Sequence, residues 1–264
     1  MPAPDLVALL SGLLVGGSLG LTGGGGSIFA VPLLVYALGF APTAAITLSL
    51  AMVGLTAGFG AALRLGRSEI DWAAGLVFAA AGMVWAPVGG WLGRQVPPAL
   101  LLSGFALLML GVGIRMWRRR PDDEAPRGPC VVPAGGRPGP GCYLRLAAAG
   151  TAAGLLSGLF GVGGGFIIVP ALLYVTGCSL HRAIATSLLV IFLISLSGVA
   201  ASILHGTSWP WRVAAVFVAG GLVGMAGGSA LRNRLPARQL QKVFAVAMGL
   251  VAVFMLVKNI PSLS

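Results

Sequence analysis

The stretch Gly20-Leu21-Thr22-Gly23-Gly24-Gly25-Gly26-Ser27-Ile28-Phe29-Ala30-Val31-Pro32 decides how this chain is read, because it occurs twice. It returns 138 residues later as Gly158-Leu159-Phe160-Gly161-Val162-Gly163-Gly164-Gly165-Phe166-Ile167-Ile168-Val169-Pro170. At that offset Gly16, Gly20, Gly23, Gly25, Gly26, Pro32, Tyr36, Gly39, Ala45 and Ser49 each meet an identical residue. Both copies lie inside very apolar sequence. A glycine run that interrupts a hydrophobic segment at matching places in two halves points to a transporter binding site.

Composition sets the solvent. The chain is 57% hydrophobic and 9% charged, with a mean hydropathy of +0.97. A soluble domain carries about 25% charged residues. The reading is an all-α polytopic membrane protein whose partner is the lipid bilayer. The 42 glycines suit close helix approach in lipid and leave room for a homodimer. The net charge of +11 sits in short loops as topology signals, so no nucleic-acid partner is expected. Residues 1–5, Met-Pro-Ala-Pro-Asp, lack a cationic n-region, and no cleaved signal peptide is expected. Cys130, Cys142 and Cys178 show no metal spacing and read as free thiols.

Six segments have spanning length: roughly 43–63, 72–92, 97–117, 183–204, 211–231 and 237–257. Residues 118–142 are Pro-, Gly- and charge-rich and read as a solvated linker. The chain divides into a first membrane repeat (1–117), this linker and a second repeat (143–264). The first segment of each half, 6–40 and 146–178, would run about 50 Å as helix against roughly 30 Å of hydrocarbon. That is too long for one span and short of two. The glycines split the first into arms 6–20 and 30–40, each shorter than the bilayer. Pro32 and Pro170 suit a first helical turn, so a new helix is expected near Val31 and Val169. Each half is thus a broken or re-entrant segment plus three spanning helices.

The pattern resembles the sulfite exporter TauE/SafE family of membrane permeases. The resemblance covers essentially the whole chain. It rests on the duplicated signature Gly20 to Pro32 and Gly158 to Pro170, and on the Ala-x-x-x-Ser-Leu pattern of Ala45 to Leu50 and Ala183 to Leu188. It implies transport of a small anion, often a sulfur oxyanion or organosulfonate such as sulfite or sulfoacetate. The first copy departs from the second where Gly24 replaces Val162 and Ser27 replaces Gly165.

The spans are nearly free of charge, so the expected anion donors are backbone N–H groups at the half-helix N-termini. The candidate substrate-binding residues are Thr22, Gly23, Gly25, Gly26, Ser27, Ser49, Ser157, Gly161, Gly163, Gly164, Gly165 and Ser187. Glycine lets an anion approach the backbone, and hydroxyls complete the shell. The competing readings are tight helix packing for the glycines and bonding to the preceding turn for the hydroxyls. Thr47 and Thr186 are nearby without matching by offset. His181, Arg182, His205 and Arg212 read as interfacial anchors. Asp71 and Glu69 beside Arg64 and Arg67 read as a solvated cluster. Trp72, Trp91, Trp117, Trp209 and Trp211 read as an aromatic belt, with Trp85 as deeper core packing.

The glycine-rich loop lacks a βαβ context and no lysine follows it, so neither dinucleotide nor ATP chemistry is expected, and no cofactor. Two histidines and three dispersed cysteines offer no catalytic pair and no metal cluster, so no enzyme is expected. The preferred reading is a secondary permease working by alternating access around the breaks in the cell membrane, an inner membrane by family habit. An anion channel and a non-transport assembly subunit are the rivals.

Charge placement orients the halves. If each long segment enters and leaves on one side, the halves are inverted and Lys plus Arg split 14 to 3. If each crosses once, the halves are parallel and the split is 11 to 6. Without the seven charges of 115–145, the splits become 7 to 3 and 4 to 6. The positive-inside rule favours two inverted repeats, a cytoplasmic linker and both termini outside. A reporter fused after Ser264 should be active outside the cytoplasm; activity confined to the cytoplasm overturns the inverted arrangement.

Overall fold

The computed structural model of the chain describes residues 4–65, 69–118, 140–204, 210–231 and 237–259. Among them there is no strand. The first half contributes α1 (Pro4–Thr22), α2 (Gly25–Ala37), α3 (Pro42–Ala62), α4 (Trp72–Gln95) and α5 (Pro98–Arg118). The second contributes α6 (Pro140–Phe160), α7 (Gly165–Thr176), α8 (Leu180–Leu204), α9 (Trp211–Leu231) and α10 (Ala237–Asn259). Most of the expected linker, and with it Cys130, falls outside the described residues, as do Arg67, His205 and Trp209.

Among the described residues, six helices are long and apolar enough to cross a bilayer: α1, α3, α4, α6, α8 and α9. This corrects the expectation that the arm before each glycine run is too short. α1 continues to Thr22 and offers a span of 18 residues, Asp5–Thr22, and α6 one of 20, Gly141–Phe160. α5 and α10 run for 21 and 23 residues. The restart after each break also comes earlier than the prolines suggest, at Gly25 and Gly165 rather than near Val31 and Val169. Pro170 therefore sits inside α7. Around Pro32 the missing N–H is absorbed by a change of hydrogen-bond register: α2 runs as a 3-10 turn, a short α turn and a π turn over Leu33–Ala37.

Two helix pairs hold the halves together, and each joins one half to the other. Gly12, Gly16 and Gly20 step along one face of α1 against the backbone carbonyls of Phe217, Gly221 and Met225 on α9. Gly150, Gly154 and Gly158 step along α6 against those of Phe78, Gly82 and Ala86 on α4. Both pairs run parallel, since residue numbers rise together. A Cβ at any of these six positions would overlap a main-chain atom, so these glycines serve packing. The faces they form pack against one another within the chain.

Two further cross-half pairs run antiparallel. On α3 and α8, Gly54 meets Ser195, Gly58 meets Phe192 and Gly198 meets Leu50. On α5 and α10, a Cβ built on Gly113 would lie 3.4 Å from the Ala245 carbonyl, and the Lys242 ammonium stands 5.9 Å from the Trp117 ring centre. The α5–α10 pair reaches the rest of the molecule through a separate apolar cluster that includes Ile28, Val31, Phe160, Val162 and Phe166, which are the residues of the breaks.

Three more expectations change here. Arg64 is not in a solvated cluster: it is 5% exposed, and its Nη2 reaches the Gly20 carbonyl at 3.5 Å and the Ser229 hydroxyl at 3.4 Å. A cation there complements the C-terminal ends of α1, α3 and α9. Asp71 caps α4 by accepting from the Ala74 N–H at 3.0 Å. Trp85 is 40% exposed, so it faces outward like Trp72, Trp91, Trp117 and Trp211 and is not core. Cys142 is disulfide-bonded rather than free, and its partner lies outside the described residues. Cys178 is free, and burial pushes its thiol pKa up, which keeps it protonated and unreactive. His181 and Arg182 are exposed, and Arg212 pairs with Asp5 at 2.7 Å across the starts of α9 and α1.

Gly16→Leu should break the α1–α9 seam. We expect a destabilisation of about 1–3 kcal/mol or more, read as loss of a monodisperse peak in detergent. An unchanged melting temperature would contradict this packing.

Candidate functional site

Each glycine run turns the chain back on the helix before it. Gly26 lies against Ser18 and Leu19 of α1, and Gly164 against Ala153 and Ser157 of α6. The turns need positive φ at Gly23 (75°), Gly161 (68°), Gly163 (66°) and Gly164 (67°), which a side chain strongly disfavours. The two turns then meet, with Gly24 packed on the Gly165 backbone. The surroundings interchange under the repeat offset: Gly23 lies against Ile184, and Gly161 against Ile46.

Within the breaks only Gly23 and Gly161 share a positive φ at matching positions; Gly25 and Gly26 lie in a 3-10 turn where Gly163 and Gly164 are left-handed, and the hydrogen bonding is unequal as well. At the first break most polar groups are used up locally. Thr22 donates to the Ser18 carbonyl at 2.8 Å and accepts from the Gly25 N–H at 3.0 Å. Ser27 donates to the Gly24 carbonyl at 2.7 Å. The N–H of Gly23 bonds Leu19, and that of Ser27 bonds Gly24. Ser187 donates to the Gly23 carbonyl at 2.7 Å and the Ile184 carbonyl at 2.8 Å. Of the first-break N–H groups, those of Gly24 and Gly26 take part in no described hydrogen bond.

The second break is open. The Gly161 N–H bonds Ser157, and the N–H groups of Ile167 and Ile168 converge on Gly164. Among the described hydrogen bonds none takes up the N–H of Val162, Gly163 or Gly164. Gly165 and Phe166 open α7, where N–H groups have no partner within the helix. Consecutive N–H groups in left-handed glycine backbone, ahead of a helix N-terminus, form an anion-binding concavity. The Ser49 and Ser157 hydroxyls are fully buried and have no hydrogen-bond partner.

Of the twelve residues expected at the site, the structure brings the eight from the breaks (Thr22, Gly23, Gly25, Gly26, Gly161, Gly163, Gly164, Gly165) into one region with Ser27, Ser157 and Ser187; Ser49 lies on α3 between Ile46 and Val53, which pack against Gly161 and Gly163. The hydroxyls of Thr22, Ser27 and Ser187 are committed to the backbone there. Thr47 bonds its own helix, and Thr186 accepts from the Asp71 N–H at 2.9 Å, away from the breaks. One residue was missed. Ser195 on α8 is 1% exposed, has no partner, and its hydroxyl lies 3.7 Å from a Cβ built on Gly163. Its repeat counterpart is Ala57, so offset matching passes over it. The helix spacing Ser187, Ile191, Ser195 would have found it.

Thr22→Val should cost about 1 kcal/mol, as loss of a capping hydroxyl does, read as a lower melting temperature in detergent. No change would mean that the Gly25 N–H does not depend on Thr22.

A family model described as sulfite exporter TauE/SafE matches residues 8–255. A probable membrane transporter protein of Xylella fastidiosa (strain Temecula1 / ATCC 700964) is 34% identical, over 98% of this chain and 97% of that one. The probable membrane transporter protein YunE of Bacillus subtilis (strain 168) is 24% identical over 93% and 95%. The probable membrane transporter protein MamO of Paramagnetospirillum magneticum (strain ATCC 700264 / AMB-1) is 39% identical over 43% of this chain and 19% of that protein. No solved structure matches the chain. An all-α multi-pass architecture, a repeated glycine break and this family match together establish that the chain is a membrane transporter belonging to the sulfite exporter TauE/SafE family.

Proposed function

We propose that the protein is a secondary permease for a small anion, a sulfur oxyanion or organosulfonate, held where the two glycine breaks meet. One observation carries the reading: the run of unengaged N–H groups from Val162 to Gly164 ahead of α7, in a chain of few charges. An anion there would gain hydrogen bonds and the positive end of a helix dipole without a buried countercharge. The family description supports sulfite and its relatives as the first anions to test.

The repeats are proposed to be inverted, with the linker cytoplasmic and both termini outside. The antiparallel α3–α8 and α5–α10 pairs support this, since each joins corresponding helices of the two halves. So does the placing of Asp5 and Arg212 at one end of α1 and α9, with Arg64, Gly20 and Ser229 at the other. Alternating access then needs two bodies. The glycine-packed α1–α9 and α4–α6 pairs tie each half to the other, so the halves are poor rigid bodies. The α5–α10 pair, seated on the breaks through its own apolar cluster, is the better candidate for the part that slides.

Flux into proteoliposomes should be measured with sulfite, sulfoacetate, taurine, thiosulfate, sulfate and chloride. Saturable movement of a sulfur anion, with chloride excluded, is the expected result. Linear, unsaturated flux would favour a channel, and no flux of any anion by folded protein would overturn the permease reading.

A further inference from the structure

We infer that the two breaks have separate tasks: the second holds the anion against the hydroxyls of Ser49, Ser157 and Ser195, while the first is a closed support. This rests on the permease reading and goes beyond it, because a repeat-symmetric site would use both breaks alike.

Three observations converge on the second break. Ser157 is on α6, and its Cβ lies 3.4 Å from a Cβ built on Gly164. Ser195 is on α8, with its hydroxyl 3.7 Å from the corresponding point on Gly163. Ser49 is on α3 between Ile46, whose backbone packs on Gly161, and Val53, whose methyl lies 3.1 Å from the Gly163 point. Residues 46, 49 and 53 share one helix face, so Ser49 is presented to the same turn. All three hydroxyls are at most 1% exposed and lack a partner. Ser103 on α5 is the other described serine whose hydroxyl oxygen is buried without a partner, and as a residue it is only half-buried.

The counterparts at the first break are of a different kind. Ser157 corresponds to Leu19, Ser195 to Ala57, and Ser49 to Ser187. Leu19 and Ala57 are buried and apolar, and the Ser187 hydroxyl is bonded to Gly23. Thr22, which engages the Gly25 N–H, corresponds to Phe160 at the second break. The first break has therefore spent its hydroxyls and the Gly25 N–H on its own turn, and the second has kept its hydroxyls and the Gly163 N–H free.

Buried hydroxyls without partners are costly in an apolar interior, and serines do not usually forgo bonding to the preceding turn. Three around one row of free N–H groups describe donors waiting for an acceptor. The set has no cation and no acid, and its donors approach from three helices. It fits a compact anion with several oxygen acceptors, such as sulfite or a sulfonate head, better than a halide. Ser195 is the specificity-determining contact that the repeat does not duplicate.

The test compares Ser157→Ala and Ser195→Ala with wild type in detergent and in proteoliposomes, using sulfite, sulfoacetate and chloride. Without anion, each variant should melt at or above the wild-type temperature, because an unsatisfied hydroxyl has been removed. With the transported oxyanion, each should show a KM raised about tenfold or more, the loss of one hydrogen bond to a charged group. The anion-induced rise in melting temperature should shrink with it. Lower melting without anion and an unchanged KM would make these serines structural and overturn the inference alone. A wild type that neither moves nor is stabilised by any of the anions would overturn the permease reading as well.

Discussion

A broken backbone inside an apolar solvent is the constraint on which this structure depends. Lipid cannot satisfy peptide N–H and C=O groups, so non-helical chain at membrane depth must be enclosed by protein. The turns at Gly23–Gly24 and Gly161–Gly164 are enclosed by each other and by α3 and α8. Ile184 and Ser187 cover one, and Ile46, Val53 and Ile191 cover the other. Once the breaks must meet, the two halves have to interleave.

Glycine makes that interleaving dense. The seams of α1 with α9 and α6 with α4 bring backbone onto backbone, an approach that even alanine would prevent. Because both seams cross between halves, the covalent halves are not the mechanical ones. The α5–α10 pair stands apart from those seams and touches the breaks themselves, through Phe105 on Phe160 and Tyr36 on Phe254. That pair is therefore packed directly against the residues that flank the breaks.

Much of this was legible in the chain. Hydrophobic runs placed α3, α4, α8 and α9 to within a few residues, and the repeat located both breaks. The errors have specific causes. Proline suggested late restarts at Val31 and Val169, but the glycine turns deliver a helix-ready backbone at Gly25 and Gly165, and register changes absorb Pro32. Arg64 was read as solvated because its neighbours in sequence are polar, whereas its neighbours in space are helix C-termini. Ser195 was passed over because its repeat partner is Ala57.

The sequence by itself determined the solvent, the helices, the repeat and the places where helices must break, because each follows from local hydrophobicity and from glycine and proline chemistry. Tertiary structure alone decided which hydroxyls are spent. Thr22, Ser27 and Ser187 found carbonyl or N–H partners within reach, while Ser49, Ser157 and Ser195 were carried by three different helices to a turn that offers them none. Hydrogen-bond satisfaction depends on what packs across the helix. No offset within one chain records that.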